Sequence, residues 1–274
     1  MFEFDIKAVE KYHLKATSSP YKHYRIPNPE TLLELGKKGL VAVTEEPLFI
    51  LVIYPHPPFG WLHFATENLS HFKGIFWEAV NVIRKNLIAN NINTLRVGLR
   101  ESTESNYLEL FRSLGFSFNR KILIMEKYDF NIPDYGNAEV KMRQGTDGDI
   151  DSLVEIERLC FNEEFRFTVE DFKVLINRPM FYVATLENKV VGYLYLRIIE
   201  ENVGHYVRVA VHPNYQRKGI GTRLTAFAVE KFKENNVSKI FLRTLEELVP
   251  AIKLYEKFGF KHVDNEVILE KILH

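Results

Sequence analysis

Apolar positions in the second half of the chain change period several times, and each change marks an element. From Gly219 to about Asn235, Leu224, Phe227, Ala228 and Phe232 fall on one helical stripe with Arg223, Glu230, Lys231 and Glu234 off it, which predicts an amphipathic helix. Leu153, Ile156 and Cys160 predict a second, and Thr168 is placed to cap a third ahead of Phe172, Leu175 and Ile176. Residues 181–186 and 190–199 read as a hairpin, 205–211 as a strand ended by Pro213, and 240–244 as another strand. Pro250 suits the first turn of a last helix, whose stripe Ala251, Leu254, Tyr255 and Phe258 runs to Gly259, a residue free to take the left-handed cap. Residues 267–272 are expected to close this half's sheet. A hairpin followed by a strand-helix-strand unit predicts a mixed, mostly antiparallel sheet flanked by helices, an α/β chain of the α+β type.

The pattern occurs twice. Lys218-Gly219-Ile220 recurs as Lys73-Gly74-Ile75 and Asn235-Asn236 as Asn90-Asn91, both at a spacing of 145 residues. Gly259-Phe260 recurs as Gly115-Phe116, and Glu270-Lys271 as Glu126-Lys127, at 144. A shared spacing predicts two copies of one domain, here 1–132 and 138–274. They are joined where Pro133 and Gly136 interrupt all hydrophobic periodicity.

Composition narrows the class. The chain has 274 residues, 46% of them hydrophobic, with 36 basic and 36 acidic side chains, a globular balance and not a disordered one. The longest apolar run, residues 48–54, is far shorter than the ~20 residues of a membrane span. With Glu3 and Asp5 at an end where a secretory signal would be basic and apolar, and Cys160 as the one cysteine, the chain is expected to be cytoplasmic. Zero net charge argues against nucleic acid as a partner. The basic, tyrosine-bearing stretch at 7–25 reads as the solvated face of an early helix, and His56, His63 and His71 lack metal-ligand spacing, so no metal is expected.

The densest chemistry lies at 209–222, VAVHPNYQRKGIGT: a strand, a proline turn, then a glycine-rich turn opening a helix. Helix-start amides without internal partners, glycines that permit close approach, and the charges of Arg217 and Lys218 build a site for an anion such as a pyrophosphate. Neither the Walker loop nor the dinucleotide fingerprint fits. QRKGIG at 216–221 resembles motif A of the GNAT N-acetyltransferase superfamily, and AIKLYEKFGF at 251–260 resembles that family's helix-to-strand segment. The resemblance covers the second half strongly and the first through the repeat. It implies a tandem member with a degenerate first copy, acetyl-CoA as co-substrate and an amine acceptor, small molecule or peptide. Its cofactor contacts would be Gln216, Arg217, Lys218, Gly219, Ile220, Gly221 and Thr222 for the pyrophosphate, and Val209, Ala210 and Val211 for pantetheine laid beside a splayed strand.

Acetyl transfer to an amine needs a neutral lone pair, stabilisation of the developing oxyanion and a proton for the leaving thiolate. The resemblance gives the proton to Tyr255, whose place on an apolar stripe equally suits a core tyrosine, and the oxyanion to a backbone amide at or near Val209. Val207, Arg208 and Arg243 stand where a carboxylate base is frequent, which leaves His205 and Glu246 as candidates or a base acting through water. His205 also reads as a strand-end histidine, Glu246 as an acid before a helix N-terminus. A CoA-binding module without turnover, and a mycothiol-synthase-like enzyme acting on a small amine, are the competing functions. In the first copy, Phe76 falls on the repeat position of Gly221 and Phe111 on that of Tyr255.

Overall fold

The computed structural model describes residues 4–22, 27–199 and 202–273. Tyr24 and Arg25 of the basic stretch lie outside these. In chain order the first half holds α1 (Val9–Ser18), β1 (Tyr21–Lys22), α2 (Pro29–Lys37), β2 (Val41–Glu45), β3 (Leu48–His56), β4 (Phe59–Thr66), α3 (Leu69–Ala89), β5 (Thr94–Arg100), α4 (Glu101–Ser113) and β6 (Ser117–Lys127). The second holds β7 (Lys141–Gln144), α5 (Ile150–Cys160), α6 (Val169–Leu175), β8 (Phe181–Leu186), β9 (Lys189–Ile199), β10 (Val203–Val211), α7 (Ile220–Glu234), β11 (Lys239–Leu245), α8 (Val249–Lys257) and β12 (Lys261–Ile272). No helix among the described residues is long and apolar enough to cross a membrane.

Two compact units form, Met1–Ile122 with Asn265–His274, and Leu123–Asp264. In the second, the sheet runs β6-β11-β10-β9-β8-β7. Leu224, Ala228 and Phe232 of α7 bury the predicted stripe against one face, with Leu194, Leu196 and Tyr206. Leu153 and Ile156 of α5 and Phe172 of α6 cover the other, against Phe181, Val183 and Tyr193. Thr168 caps α6 as the sequence suggests, its hydroxyl accepting from the Asp171 amide while the Asp171 carboxylate accepts from the Thr168 amide.

The sheet opens at one place. β10 is antiparallel to β9 along its length, with a bulge between Tyr206 and Arg208, but parallel to β11 only from Val203 to Tyr206. Past Tyr206 the parallel strands part, so β10 presents a free edge to a wedge between the two. In the first unit, β4 and β5 likewise pair in parallel only over Phe59 to Trp61. That wedge is filled. β3 takes one edge of β4, and β1 lies antiparallel on the other at Ala65 and Thr66. Phe64 packs beside them on Tyr107 and Phe111, ring centroids 5.0 and 5.5 Å apart.

The strand expected to close the second half's sheet does something else: Val267 pairs with Leu99 and Ile272 with Thr94, so β12 completes the first unit beside β5. At 11 and 12 residues, β6 and β12 are long enough to begin in one unit and end in the other. The repeat survives the exchange. A Cβ on Gly259, which has φ +83°, would lie 3.3 Å from Lys127 Nζ, and one on Gly115, at φ +85°, 3.3 Å from Lys271 Nζ.

Candidate functional site

The loop read as an anion site connects β10 to α7 and is built for free amides. Pro213 starts a short 3-10 turn, Gln216 Nε2 donates to Val211 O at 3.0 Å, and Arg217 (φ +61°) and Gly219 (φ +75°) take the left-handed conformation. Alternating handedness turns successive N–H groups to one side as a concave nest. Gly219 is the N-cap of α7 and offers no side chain to its first turn. Among the described residues, no hydrogen bond engages the amides of Arg217, Lys218, Gly219, Ile220, Gly221 or Thr222. The partial positive charge of a 15-residue helix adds to those of Arg217 and Lys218. This donor set has the chemistry to hold a diphosphate.

The first copy has lost the loop altogether. α3 and α7 end at equivalent repeat positions, Ala89 and Glu234, but α3 has 21 residues against 15. Its extra turn and a half occupies the place of the loop, and the Asn68 side chain accepts from the amides of Ser70 and His71. Phe76, on the repeat position of Gly221, sits mid-helix and fully buried, 5.9 Å from both Phe111 and Phe116. Phe111 is equally buried.

Tyr255 stands at the fork of the wedge. Its ring meets Tyr206, the last β10 residue paired with β11, edge-on at 5.8 Å, and Phe260 at 5.9 Å. Its neighbour Leu254 comes within 3.5 Å of where a Gly221 Cβ would be, so α8 touches the first turn of α7. Burial pushes the phenol of Tyr255 well above its ordinary value, so it keeps its proton. His205 precedes Tyr206 and so faces the other side of the sheet, its ring stacked on Phe241 at 4.3 Å. Glu246 is exposed in the turn after β11, at the mouth of the wedge. Tyr255 and His205 therefore lie on opposite faces of the sheet, and Glu246 in the turn that follows β11.

A buried cluster absent from the sequence reading lies across the sheet from Tyr255. Arg208 Nη2 donates to Glu157 Oε2 at 2.6 Å and to Phe165 O at 2.6 Å, and its guanidinium lies 3.5 Å from the centroid of Phe161. The Tyr193 hydroxyl donates to the other oxygen of Glu157, and the Phe167 amide to Oε2 at 2.9 Å. Burial, and then the Glu157 charge, push the Tyr193 phenol up. With its oxygens engaged by Arg208, Tyr193 and Phe167, Glu157 has no lone pair to spare as a base, and the cluster fixes the segment between α5 and α6 over β10. The signal was present: Glu157 falls on the Leu153, Ile156, Cys160 stripe at helical spacing, and a charge there demands a buried partner. Cys160 Sγ lies 3.3 Å from Val211 O, and burial pushes the thiol up to about 11.

Residues 150–260 match the acetyltransferase (GNAT) family. An N-alpha-acetyltransferase of Sulfurisphaera tokodaii is 34% identical over 139 residues, 46% of this chain and 82% of that protein. A mycothiol acetyltransferase of Acidothermus cellulolyticus is 24% identical over 190 residues, 58% of this chain and 57% of that one. Among solved structures, a tandem GNAT protein from the clavulanic acid biosynthesis pathway matches with a TM-score of 0.69 at 14% identity, covering 98% of this chain and 95% of its own.

Proposed function

This chain belongs to the acetyltransferase (GNAT) family, an acetyl-CoA-dependent N-acetyltransferase of tandem build, and from that premise we propose that the second copy, 138–274, holds the cofactor and carries the chemistry while the first, 1–132, holds none. The observation that carries this reading is the asymmetry of the two wedges: one ends in a loop of six free amides, the other is filled by β1 and aromatic rings.

On this reading the amides of Arg217, Lys218, Gly219, Ile220, Gly221 and Thr222 take the diphosphate of acetyl-CoA, with Gln216 fixing the turn before them. Pantetheine lies along Val209, Ala210 and Val211 as an added strand on the free edge of β10. A backbone amide near Val209, past the bulge, receives the charge that develops on the thioester oxygen. The acceptor amine forms the new C–N bond as the C–S bond breaks, and the Tyr255 hydroxyl gives its proton to the departing sulfur. The amine adds to the thioester carbonyl and must lose a proton to a group other than Tyr255, which gives its own to the sulfur, and we place that base on the face of the sheet away from Tyr255. His205 is on that face and takes the amine proton through water; Glu246 at the mouth of the wedge is the second candidate.

The acceptor is a primary amine, the α-amino group of a peptide, because the relative at 34% identity is named an N-alpha-acetyltransferase. The 190-residue similarity to mycothiol acetyltransferase extends past a single copy and favours a small-molecule amine as the second reading. A thiol-release assay with acetyl-CoA against short peptides and small amines tests both. Thiol release on peptides with a free N-terminus, and none on the same peptides when blocked, is the expected result; release on small amines alone selects the second reading, and no release on either rejects turnover.

A further inference from the structure

The segment between the two copies reads in sequence as a spacer, yet it is bonded to the phosphate loop. Asn137 Nδ2 donates to Lys218 O at 3.1 Å, and the Asn137 amide donates to Gly219 O at 3.3 Å. Gly136 (φ +67°) approaches so closely that a Cβ would lie 2.5 Å from both Arg223 N and Gly219 O, backbone atoms that cannot step aside. The other side of the segment is fixed too: Lys257 of α8 pairs with Asp134 at 2.7 Å, Asp134 Oδ1 accepts from the Gly136 amide at 2.8 Å, and Asn137 Oδ1 accepts from the Glu139 amide at 2.9 Å. Phe130 and Ile132 pack against the core of the second unit.

In a planar trans peptide the carbonyl and the following N–H point opposite ways. Holding the carbonyls of Lys218 and Gly219 on the linker side therefore turns the amides of Gly219 and Ile220 to the far side, where the loop is free. We infer that Asn137 is a positioning residue for acetyl-CoA, presetting two amides of the phosphate loop before the cofactor arrives. The inference rests on the reading that this loop binds the diphosphate. Preset donors lose less on binding than donors that must first be ordered, so the effect is on affinity for the diphosphate and not on acetyl transfer.

The test compares acetyl-CoA with S-acetylpantetheine, which has the thioester but no diphosphate, on the full chain and on Asn137→Ala and Asn137→Ser. Serine retains a turn acceptor for the Glu139 amide and is too short to reach Lys218 O, so the two variants separate loop positioning from local turn stability. Both are expected to raise KM for acetyl-CoA by roughly 3- to 12-fold, the value of one net hydrogen bond, with kcat at saturation and KM for S-acetylpantetheine held. Unchanged KM for acetyl-CoA in the variants, a KM rise shared by both donors, a serine variant that behaves as the parent, or a fall in kcat overturns the inference. A parent that binds acetyl-CoA no more tightly than S-acetylpantetheine removes the loop reading itself, and this inference with it.

Discussion

Tyr255 offers the sharpest test of a single side chain. Its helix buries it, and burial raises the phenol, so the protonated form persists well past neutral pH. The proton donor should therefore stay competent as pH rises: kcat of the parent should show no loss from this group up to about pH 10, the ordinary tyrosine value. Tyr255→Phe should lower kcat by roughly 10²- to 10⁴-fold with little change in acetyl-CoA affinity, measured by steady-state thiol release. Undiminished turnover would return Tyr255 to the core it resembles, like Phe111 in the first copy. The sequence marks Tyr255 but says nothing of its surroundings. Tyr206, which meets its ring at the fork, is 49 positions away along the chain, and such proximity is set by strand pairing, not by local pattern.

Elements with a strong local period were legible. The boundaries of α7, the cap of α6 and the proline start of α8 follow directly from apolar stripes and cap residues. What depended on partners was not. β12 has the apolar residues Val267, Ile268 and Leu269 that any sheet would accept, and only tertiary pairing decides that β5 receives them. The start of α3 is a different case, a local one: Asn68 caps it six positions before the repeat of Gly219, so helix stands where the other copy has its loop. The Glu157–Arg208 pair shows what a buried charge demands of two elements. Glu157→Gln leaves Arg208, whose side chain is only 16% exposed, without its counter-charge, and breaking such a pair costs about 3 to 5 kcal/mol. Urea unfolding should show an unfolding free energy lowered by that amount; a loss under about 1 kcal/mol would mean that Arg208 finds solvent or another partner.

At the scale of the whole chain, duplication has left two wedges with different contents. The repeat was readable from spacing alone, and so was the loss of Gly221 and Tyr255 equivalents in the first copy. The manner of the loss was not, since it consists of an added turn and a half of helix and a short strand, β1, laid on the free edge of β4. If the second copy alone holds acetyl-CoA, as proposed, the chain takes one cofactor. Titration calorimetry of the full chain with acetyl-CoA measures it: the expected result is one site per chain in the parent and none in Gly221→Phe, whose side chain starts in contact with Leu254 within the turn whose amides are free. Two sites in the parent, or binding that survives the substitution, would contradict the assignment of the cofactor to the second copy.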